Sequence, residues 1–451
     1  MRRPRPLHER LTHPSRFAMA LAAIAVLALA LRVVYILAIF PEDRMGGDAI
    51  EFHWLARLLA EGYGFVQPAP LVEVGVGPGG ASELVLDPTG QVVDTADKPP
   101  LYPFILALGS LIDPADYTIQ RLISAVLGTG TVIVGGLIAR RLGSVTIGVV
   151  AAAILALYPP LWLADGSLRS ETLYALLIAG ALLAALRFLD RPDWRRAAWL
   201  GALIGLSSLA RGEALVLIVP ALVVIAVKGR PRVPWRALLA GALAFALLVT
   251  PWLARNWAVF DRPTAITSND GGLFYGANCD RAYNGPLLGA WACFPPHEPG
   301  ENEAEISARA RDLGLEYAAE HADRLPVVIG ARILRVWDFW HFPAGDAEFE
   351  AEISGREPTL QHVASWTFYL LVPFAIAGAW LLRRRPLELA ILLTPVALVT
   401  FIAAFGYGTV RFRAPAEVPL VVLASVALVR AAGALRARHG AAEPSAAQSG
   451  A

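Results

Sequence analysis

The sequence predicts an α-helical polytopic membrane protein with about ten transmembrane helices, outer-face interfacial helices and a small extracytoplasmic insertion. Of its 451 residues, 56% are hydrophobic and only 17% are charged, whereas about a quarter of the residues in a soluble domain are charged. Apolar runs of about 20 residues, the length that spans a bilayer as a helix, recur along the chain. The formal net charge of +1 says nothing about partners, because in a membrane protein the placement of charge matters more than its sum.

Ten segments are candidate spans: 17–40, 119–139, 144–163, 168–189, 196–210, 212–228, 235–254, 362–382, 387–405 and 414–433. If they alternate in direction, the basic clusters that begin at Arg140, Arg187, Lys228, Arg383 and Arg430 all fall on one side. The positive-inside rule assigns that side to the cytoplasm. The segment 101–112 is apolar for only about 12 residues, too few to span. Counting it as a crossing would move Arg140 outside, so we expect it to lie at, or re-enter from, the outer interface.

The chain ends and loops follow from this threading. The basic segment 1–16 has no Ala-x-Ala cleavage pattern, so the first helix is predicted to be an uncleaved anchor with a cytoplasmic tail. A membrane domain then covers 17–254 and includes a first extracytoplasmic loop at 41–118. An extracytoplasmic loop domain at 255–361, C-terminal membrane helices at 362–433 and a cytoplasmic tail at 434–451 complete the prediction. The bias toward Arg, Ala and Gly indicates a bacterium, and hence a bacterial plasma membrane.

The only two cysteines, Cys279 and Cys293, both fall in the predicted extracytoplasmic domain. Because that compartment is oxidising, we predict a disulfide, worth about 3 kcal/mol for a loop of this length in the chain-entropy model. The alternative is a pair of buried free thiols.

The stretch "GGDAIEFHW" places Asp48 and Glu51 just after the first apolar run. The apolar residues that follow have helical spacing, so both carboxylates are expected on one face of the first turn of a helix. On spacing alone, Asp48 could simply cap this helix while Glu51 favours its positive end. His53 could complete a metal site with the two acids, although histidines at membrane interfaces usually have no ligand.

Seven cations are predicted near the outer ends of helices, opposite to the usual bias. They are Lys98, Arg121, Arg169, Arg211, Arg255, Arg411 and Arg413. This excess predicts an anionic ligand, and Lys98, one of only two lysines, supplies a compact charge suited to phosphate. Alternatively these cations bind ordinary lipid headgroups or pair with Asp165, Glu171 and Glu213. Without a Walker motif or a dinucleotide fingerprint, ATP-driven transport has no support, and no nucleic-acid partner is expected.

Several segments together resemble one enzyme family. They are "GGDAIEFHWLARLLAEGYGF", "DKPPLYPFILAL", "QRLISAVLGTGTVIVGGLIARRL", "GSLRSETLYALLI", "GLSSLARGEALVL", "TPWLARNWAVFDRPTAITSNDGGLFYGAN" and "YGTVRFRAPAEVPLVVL". In this order they resemble the bacterial branch of the protein O-mannosyltransferase and aminoarabinose-transferase-like family of the glycosyltransferase C superfamily. The resemblance runs from about Arg32 to Leu423.

This resemblance implies transfer of a sugar from a polyprenyl-phosphate carrier at the outer face, with inversion, to a protein, lipid or glycan acceptor. It implies that Asp48 is the catalytic carboxylate, with Glu51 as a second acid, and that Lys98 binds the carrier phosphate. Arg121, Arg211 and Arg255 fall in recurrent segments and are further candidates for phosphate binding. Glu171, His53 and Arg411 are candidates for lining the cavity.

Two departures limit what the resemblance implies. Ala49 stands where many relatives have a second acid, which weakens any need for a divalent metal, so no metal ligands and no certain cofactor are predicted. Residues 66–97 look like an insertion, and their alternation and turn residues predict a hairpin over the active site. Two other readings stay open: a flippase or exporter of lipid-linked sugars, and a non-catalytic partner in an envelope assembly.

Overall fold

The computed structural model describes residues 15–40, 47–68, 72–74, 83–85, 92–228, 235–296, 298 and 300–441. The chain is mostly helical, and the predicted fold class is confirmed. Most of the predicted basic tail 1–16, the loop 229–234 and the last ten residues of the predicted C-terminal tail lie outside the described residues.

The first half of the chain contains nine helices and four short strands in the described residues. They are α1 (Arg16–Val34, continued by a π-helical turn at Tyr35–Ile39), α2 (Asp48–Ala60), β1 (Val66–Pro68), β2 (Val72–Val74), β3 (Glu83–Val85), β4 (Val92–Asp94), α3 (Leu101–Ser110), α4 (Tyr117–Leu142), α5 (Val145–Leu157), α6 (Pro159–Gly166), α7 (Glu171–Asp190), α8 (Trp194–Ala210) and, after a 3₁₀ turn at Gly212–Leu217, α9 (Ile218–Lys228).

The second half begins with α10 and continues with helices throughout. They are α10 (Trp235–Phe260), α11 (Asp270–Ala277), α12 (Asp280–Tyr283), α13 (Glu303–Glu320), α14 (Leu325–Val336), α15 (Ala347–Ser354), α16 (Pro358–Leu382), α17 (Pro386–Phe405) and α18 (Ala414–Ala441). Two further 3₁₀ turns lie at Gly285–Leu287 and Val410–Arg413.

Within the described residues, seven helical segments are long and apolar enough to cross a membrane. They are Arg16–Ile39, Tyr117–Leu142, Glu171–Asp190, Trp235–Phe260, Pro358–Leu382, Pro386–Phe405 and Val410–Arg436. Helices α5 and α6 meet at a 49° bend and together make an eighth candidate. The predicted spans 196–210 and 212–228 correspond to shorter helices, so the count of ten stays a prediction.

Helix α3 covers the apolar segment that was too short to span. Its 10 residues rise about 15 Å, half the thickness of the hydrocarbon core. One side packs against α2, where the rings of Phe52 and Tyr102 meet edge to face with centroids 5.1 Å apart. This contact holds α3 and the start of α2 at the same end of the bundle.

The predicted hairpin region 66–97 contains two antiparallel strand pairs. β1 pairs with β4, with Val66 opposite Asp94, and β2 pairs with β3, with Val72 opposite Val85. We call the β1–β4 pair the hairpin arm. It begins six residues after the last residue of α2, and it ends four residues before Lys98.

The segment between α10 and α16 forms a small helical unit in which a disulfide joins Cys279 to Cys293, with a sulfur–sulfur distance of 2.00 Å. Helix α13 starts with a capping box, in which Asn302 and Glu305 each accept a hydrogen bond from the other's backbone N–H. Glu303, in the same first turn, accepts a hydrogen bond from the Ala96 N–H at 2.9 Å. The unit is thereby fastened to the loop that precedes Lys98.

A buried ion pair joins α1 to α6. Arg32 of α1 donates through Nε to the Asp165 carboxylate of α6 at 2.6 Å, and both side chains are almost fully buried. Helix α4 passes close to this carboxylate at Gly128, where a Cβ atom would overlap the Asp165 side chain. Because the carboxylate is held by Arg32, it has little freedom to move aside.

We therefore expect Gly128→Ala to lower the melting temperature of the detergent-solubilised protein, because the added methyl group displaces one partner of a buried ion pair. The free energy of unfolding should fall by about 2 to 4 kcal/mol, which lies within the costs of overpacking a core and of disrupting a buried ion pair. Gly330→Ala in α14 is the matched control, since no atom lies within 4 Å of its added Cβ. Equal melting temperatures for the Gly128→Ala variant and the wild type would contradict this account.

Candidate active site

Asp48 is the first residue of α2, and Gly47 is its N-cap. Gly47 has φ +46°, a backbone conformation that glycine adopts without strain. No side chain caps this helix start in the described part of the chain, so the reading of Asp48 as a mere cap is wrong. Its carboxylate is instead available to cations from other elements.

Lys98 approaches the two acids of α2 from the loop between β4 and α3. Its Nζ lies 3.1 Å from Oδ1 of Asp48, 2.6 Å from Oε2 of Glu51 and 2.8 Å from Oδ2 of Asp97. The backbone of Ala96, two residues before Lys98, is fixed on both sides. Its N–H donates to Glu303, and its carbonyl accepts from the Ser268 N–H at 2.9 Å.

Two arginines bind the other oxygen of Asp48. Nη1 of Arg169, from the turn before α7, lies 3.4 Å from Oδ2, and Nη1 of Arg411 donates to the same atom. We call Lys98, Arg169 and Arg411 the cation triad. All three side chains converge on a single carboxylate, although they come from widely separated parts of the chain.

Neighbouring contacts position the two arginines of the triad. Arg169 donates through Nη2 to the carbonyl of Ile353 at 2.5 Å, and Arg411 donates through Nη2 to the Tyr407 hydroxyl at 3.0 Å. The Thr409 hydroxyl donates to Glu350 at 2.7 Å. On the other side of Arg411, Arg413 pairs with Glu417 at 2.5 Å. The turn that carries Arg411 is thus held at both ends.

A second ion network borders the triad. Arg211 lies 2.8 Å from Glu171 and 2.5 Å from Glu213, and Nε of Arg411 is 3.8 Å from the same Glu171 oxygen. The alternative that outer-end arginines pair with nearby acids therefore holds for Arg211. Glu171 connects the two networks and lies at the first residue of α7.

Arg255, a predicted phosphate ligand, lies with the hairpin arm. It pairs with Asp94 at 2.9 Å and donates to the carbonyls of Phe65 and Thr95. Arg121 donates through Nε to the Gly166 carbonyl at 2.8 Å, and its guanidinium stacks over the Phe40 ring. These contacts fasten α10 to the arm and α4 to the end of α6.

His53 faces away from the acids. Its Nδ1 lies 3.1 Å from Oε1 of Gln120, and its ring packs edge to face on Tyr117. Burial lowers the pKa of His53, although the hydrogen bond to Gln120 favours its charged form. Among the described residues, no group of three or more His, Cys, Asp or Glu side chains is arranged to hold a metal ion.

Two participants were not singled out from the sequence. Asp97 binds Lys98, and its position directly before that lysine in "DKPP" was the available signal. Tyr407, which binds Arg411, opens the segment "YGTVRFR" that carries part of the family resemblance.

The two acids of α2 differ in protonation. Burial would raise the pKa of Asp48, but Lys98, Arg411 and Arg169 outweigh it and hold the pKa well below its usual range. For Glu51, burial is the largest influence and raises the pKa to about 7, against the opposing charge of Lys98. Burial would lower the pKa of Lys98, but its three carboxylate neighbours raise it well above the usual value. At neutral pH, Asp48 is an anion and Lys98 a cation.

The comparison with known proteins bears directly on this site. Residues 97–254, which begin just before Lys98, match the family described as dolichyl-phosphate-mannose-protein mannosyltransferase. The predicted resemblance to this family is confirmed over these residues. A search of curated proteins found no matching sequence.

Solved structures of an archaeal oligosaccharyltransferase share the fold. The oligosaccharyltransferase of Archaeoglobus fulgidus in its apo form matches with a TM-score of 0.55 at 14% identity, over 96% of this chain and 52% of that one. Its complex with an inhibitory peptide and a dolichol-phosphate, under the name AglB, matches with a TM-score of 0.54 at 14% identity, over 97% and 52%. ArnT from Cupriavidus metallidurans, bound to undecaprenyl phosphate, matches with a TM-score of only 0.38 at 15% identity, over 94% of this chain and 80% of that one. The chain spans about half the length of the oligosaccharyltransferases it matches.

The raised pKa of Glu51 predicts a pH-dependent stability. Between the pKa of an exposed glutamate, about 4.3, and about 7, the folded protein holds a proton that the unfolded chain has released. The contribution of Glu51 to stability therefore falls as the pH rises through this window. We expect the melting temperature of the wild type to fall relative to Glu51→Gln across the window and the difference to level off above it.

Thermal melting of both proteins in detergent, at intervals from about pH 4.5 to about pH 8, measures this difference. Glu61→Gln controls for the loss of one carboxyl, since among the described residues Glu61, just after the end of α2, pairs with Arg57 alone. A difference between wild type and Glu51→Gln that does not change with pH would show that Glu51 has an ordinary pKa.

Proposed function

We propose that this membrane protein is a glycosyltransferase that moves a sugar from a polyprenyl-phosphate carrier to an acceptor hydroxyl. The observation that carries the proposal is the convergence of the cation triad on Asp48. A carboxylate next to a cluster of cations combines a proton acceptor with a site for a phosphate leaving group. The family match over 97–254 supports the proposal, as does the dolichol-phosphate bound by AglB, which has the same fold.

The proposed reaction is a displacement at the anomeric carbon. The acceptor oxygen forms a bond to this carbon as the bond from the carbon to the phosphate oxygen breaks. The leaving polyprenyl phosphate keeps the electron pair, and the acceptor proton passes to the Asp48 carboxylate. Attack from the side opposite the phosphate inverts the anomeric centre. Lys98 and the arginines of the triad stabilise the charge that develops on the phosphate.

A small apolar cavity lies between helices on the other side of Glu171 and is a candidate site for the carrier chain. It lies between α7, α8, α9 and α17, and its lining includes Ile178, Ala181, Leu182, Ile204, Leu217 and Ile391. Along α7, Ala181 follows Glu171 by ten residues, a rise of about 15 Å. An isoprenoid chain that enters from the phosphate site would reach this cavity. We assign the cavity to the first isoprene units of the carrier.

The charge pattern supports a location for the site. The basic clusters predicted to be cytoplasmic lie at the opposite helix ends from Asp48, so we place the site at the outer face of a bacterial plasma membrane with both termini inside. The helical unit at 255–361 then lies outside, where its disulfide can form. The donor sugar can be a hexose or a pentose, and the acceptor a protein, a lipid or a glycan.

Asp48→Asn should reduce transfer by at least about 100-fold, because the amide cannot accept the acceptor proton and general-base catalysis contributes about 10² to 10⁴. The measurement follows radiolabel from a polyprenyl-phosphate sugar into envelope fractions of a strain that lacks the protein. Glu61→Gln, outside the site, should transfer at the wild-type rate. Wild-type activity in Asp48→Asn would refute the assignment of the base. Translocation of the labelled lipid across vesicles without any glycosylated product would identify a flippase instead.

Ala181→Phe should fill the chain cavity and raise the KM for a long-chain donor about tenfold, since the chain loses its buried contacts, while a short-chain donor analogue keeps its KM. Ala377→Phe, on an exposed face of α16, is the matched control for the added ring. An equal rise in KM for long-chain and short-chain donors would show that the cavity does not hold the chain.

A further inference from the structure

The Asp48 carboxylate occupies the place where the proposed reaction requires a phosphate. Its Oδ1 is bound by Lys98, and its Oδ2 is bound by Arg169 and Arg411, so both oxygens are engaged. Phosphate and carboxylate are alternative partners for the same cations, because both present oxygen atoms to N–H donors at similar distances. The two anions cannot occupy the centre of the triad together.

The exposure of the side chains shows which partner is outermost. The cations are the more buried, with 10% of the Lys98 side chain, 4% of Arg169 and 14% of Arg411 exposed. The carboxylate of Asp48 is 30% exposed and that of Glu51 33%. An anion that arrives from solvent or from the lipid surface therefore meets the carboxylates before it reaches the cations.

The triad also retains unused donor capacity. Nε of Arg169 and Nε of Arg411 are buried and have no hydrogen-bond partner in the described part of the chain. A buried donor without a partner costs free energy that a ligand oxygen recovers. A carboxylate has two acceptor oxygens. The phosphodiester of the donor has two non-bridging and two bridging oxygens, and the monoester product has three non-bridging ones. The larger anion can therefore satisfy donors that Asp48 leaves open.

We propose that Asp48 is a built-in competitor for the carrier phosphate: it occupies the cation triad in the resting protein and is displaced when the phosphate binds. The inference rests on the proposed function and adds a gate to it. While held by three cations, the carboxylate is a weak proton acceptor. Once the phosphate takes those cations, the displaced carboxylate can accept a proton from an acceptor hydroxyl. The base is thus released only when a donor is bound.

Asp48 is the only carboxylate with this position among the described residues. Glu51 and Asp97 each contact Lys98, but neither contacts Arg169 or Arg411. Glu171 lies beside Arg411 at 3.8 Å and is held by Arg211. Removing the charge of Asp48 should therefore take one carboxylate contact from each member of the triad, although Lys98 keeps Glu51 and Asp97, whereas removing another acid should affect at most one member.

The test is equilibrium binding of polyprenyl phosphate, the proposed product, to the full-length protein in detergent. Asp48→Asn should bind it at least about tenfold more tightly than the wild type, equivalent to about 1.4 kcal/mol. If Asp48 acted only as a base, its replacement would not increase the affinity for polyprenyl phosphate. Glu61→Gln, which also removes one negative charge near α2, should bind as the wild type does. Arg411→Ala should bind more weakly, because it removes one member of the triad.

Competition by inorganic phosphate distinguishes recognition of the phosphate headgroup from recognition of the lipid chain. It should compete with polyprenyl phosphate in Asp48→Asn, at higher concentration because it lacks the chain. A lack of competition would overturn the inference, since the triad would then not be the phosphate site. Should Asp48→Asn fail to fold, Asp48→Ser removes the same charge and the same gain is expected.

The outcomes separate the inference from the proposed function. If the wild type binds polyprenyl phosphate and Asp48→Asn binds it equally or less tightly, the competition is refuted while the transferase proposal stands. If Glu61→Gln gains as much as Asp48→Asn, the effect is one of overall charge and the inference is refuted. If neither the wild type nor the variants bind polyprenyl phosphate, both the inference and the proposed function fall.

Discussion

The arrangement of this helix end depends on one interaction, the contact of three cations with the Asp48 carboxylate. Lys98, Arg169 and Arg411 would repel one another if they were brought together without an anion, because like charges in a poorly solvated site cost several kcal/mol. One carboxylate at the start of α2 allows the loop before α3, the turn before α7 and the turn before α18 to meet. The site therefore depends on the attraction between three cations and the one carboxylate that contacts all of them.

The surrounding structure keeps the cations in position through hydrogen bonds to the segments that carry them. Glu303 fixes the backbone at Ala96, two residues before Lys98, and Glu350, through Thr409, holds the turn that carries Arg411. Both glutamates belong to the helical unit between α10 and α16. This unit, which hydropathy marks only as a polar interruption, thereby positions the cations of the site. Small displacements within it would reach the Asp48 carboxylate through these hydrogen bonds.

Two acids in one helical turn have different properties because their partners differ. Asp48 meets three cations and is held as an anion, whereas Glu51 meets Lys98 alone and burial raises its pKa to about 7. Pairs of acids with separated pKa values are common where proton transfer takes place. The two pKa values differ because of where the arginines lie: Arg169 and Arg411 approach Oδ2 of Asp48 and do not contact Glu51. The site is thus asymmetric before any ligand binds.

The sequence by itself determined the helical membrane fold and most of the spans, because hydropathy is a local property of the chain, and its motifs singled out Asp48 and Lys98, which the structure brings into contact. It could not rank the outer-end arginines. Arg411 binds Asp48 across a separation of 363 residues, whereas Arg255 serves the hairpin arm. Both carry the same charge at similar predicted depth, and a guanidinium's partner is decided by which distant segment packs beside it. Only the tertiary structure brings those segments together.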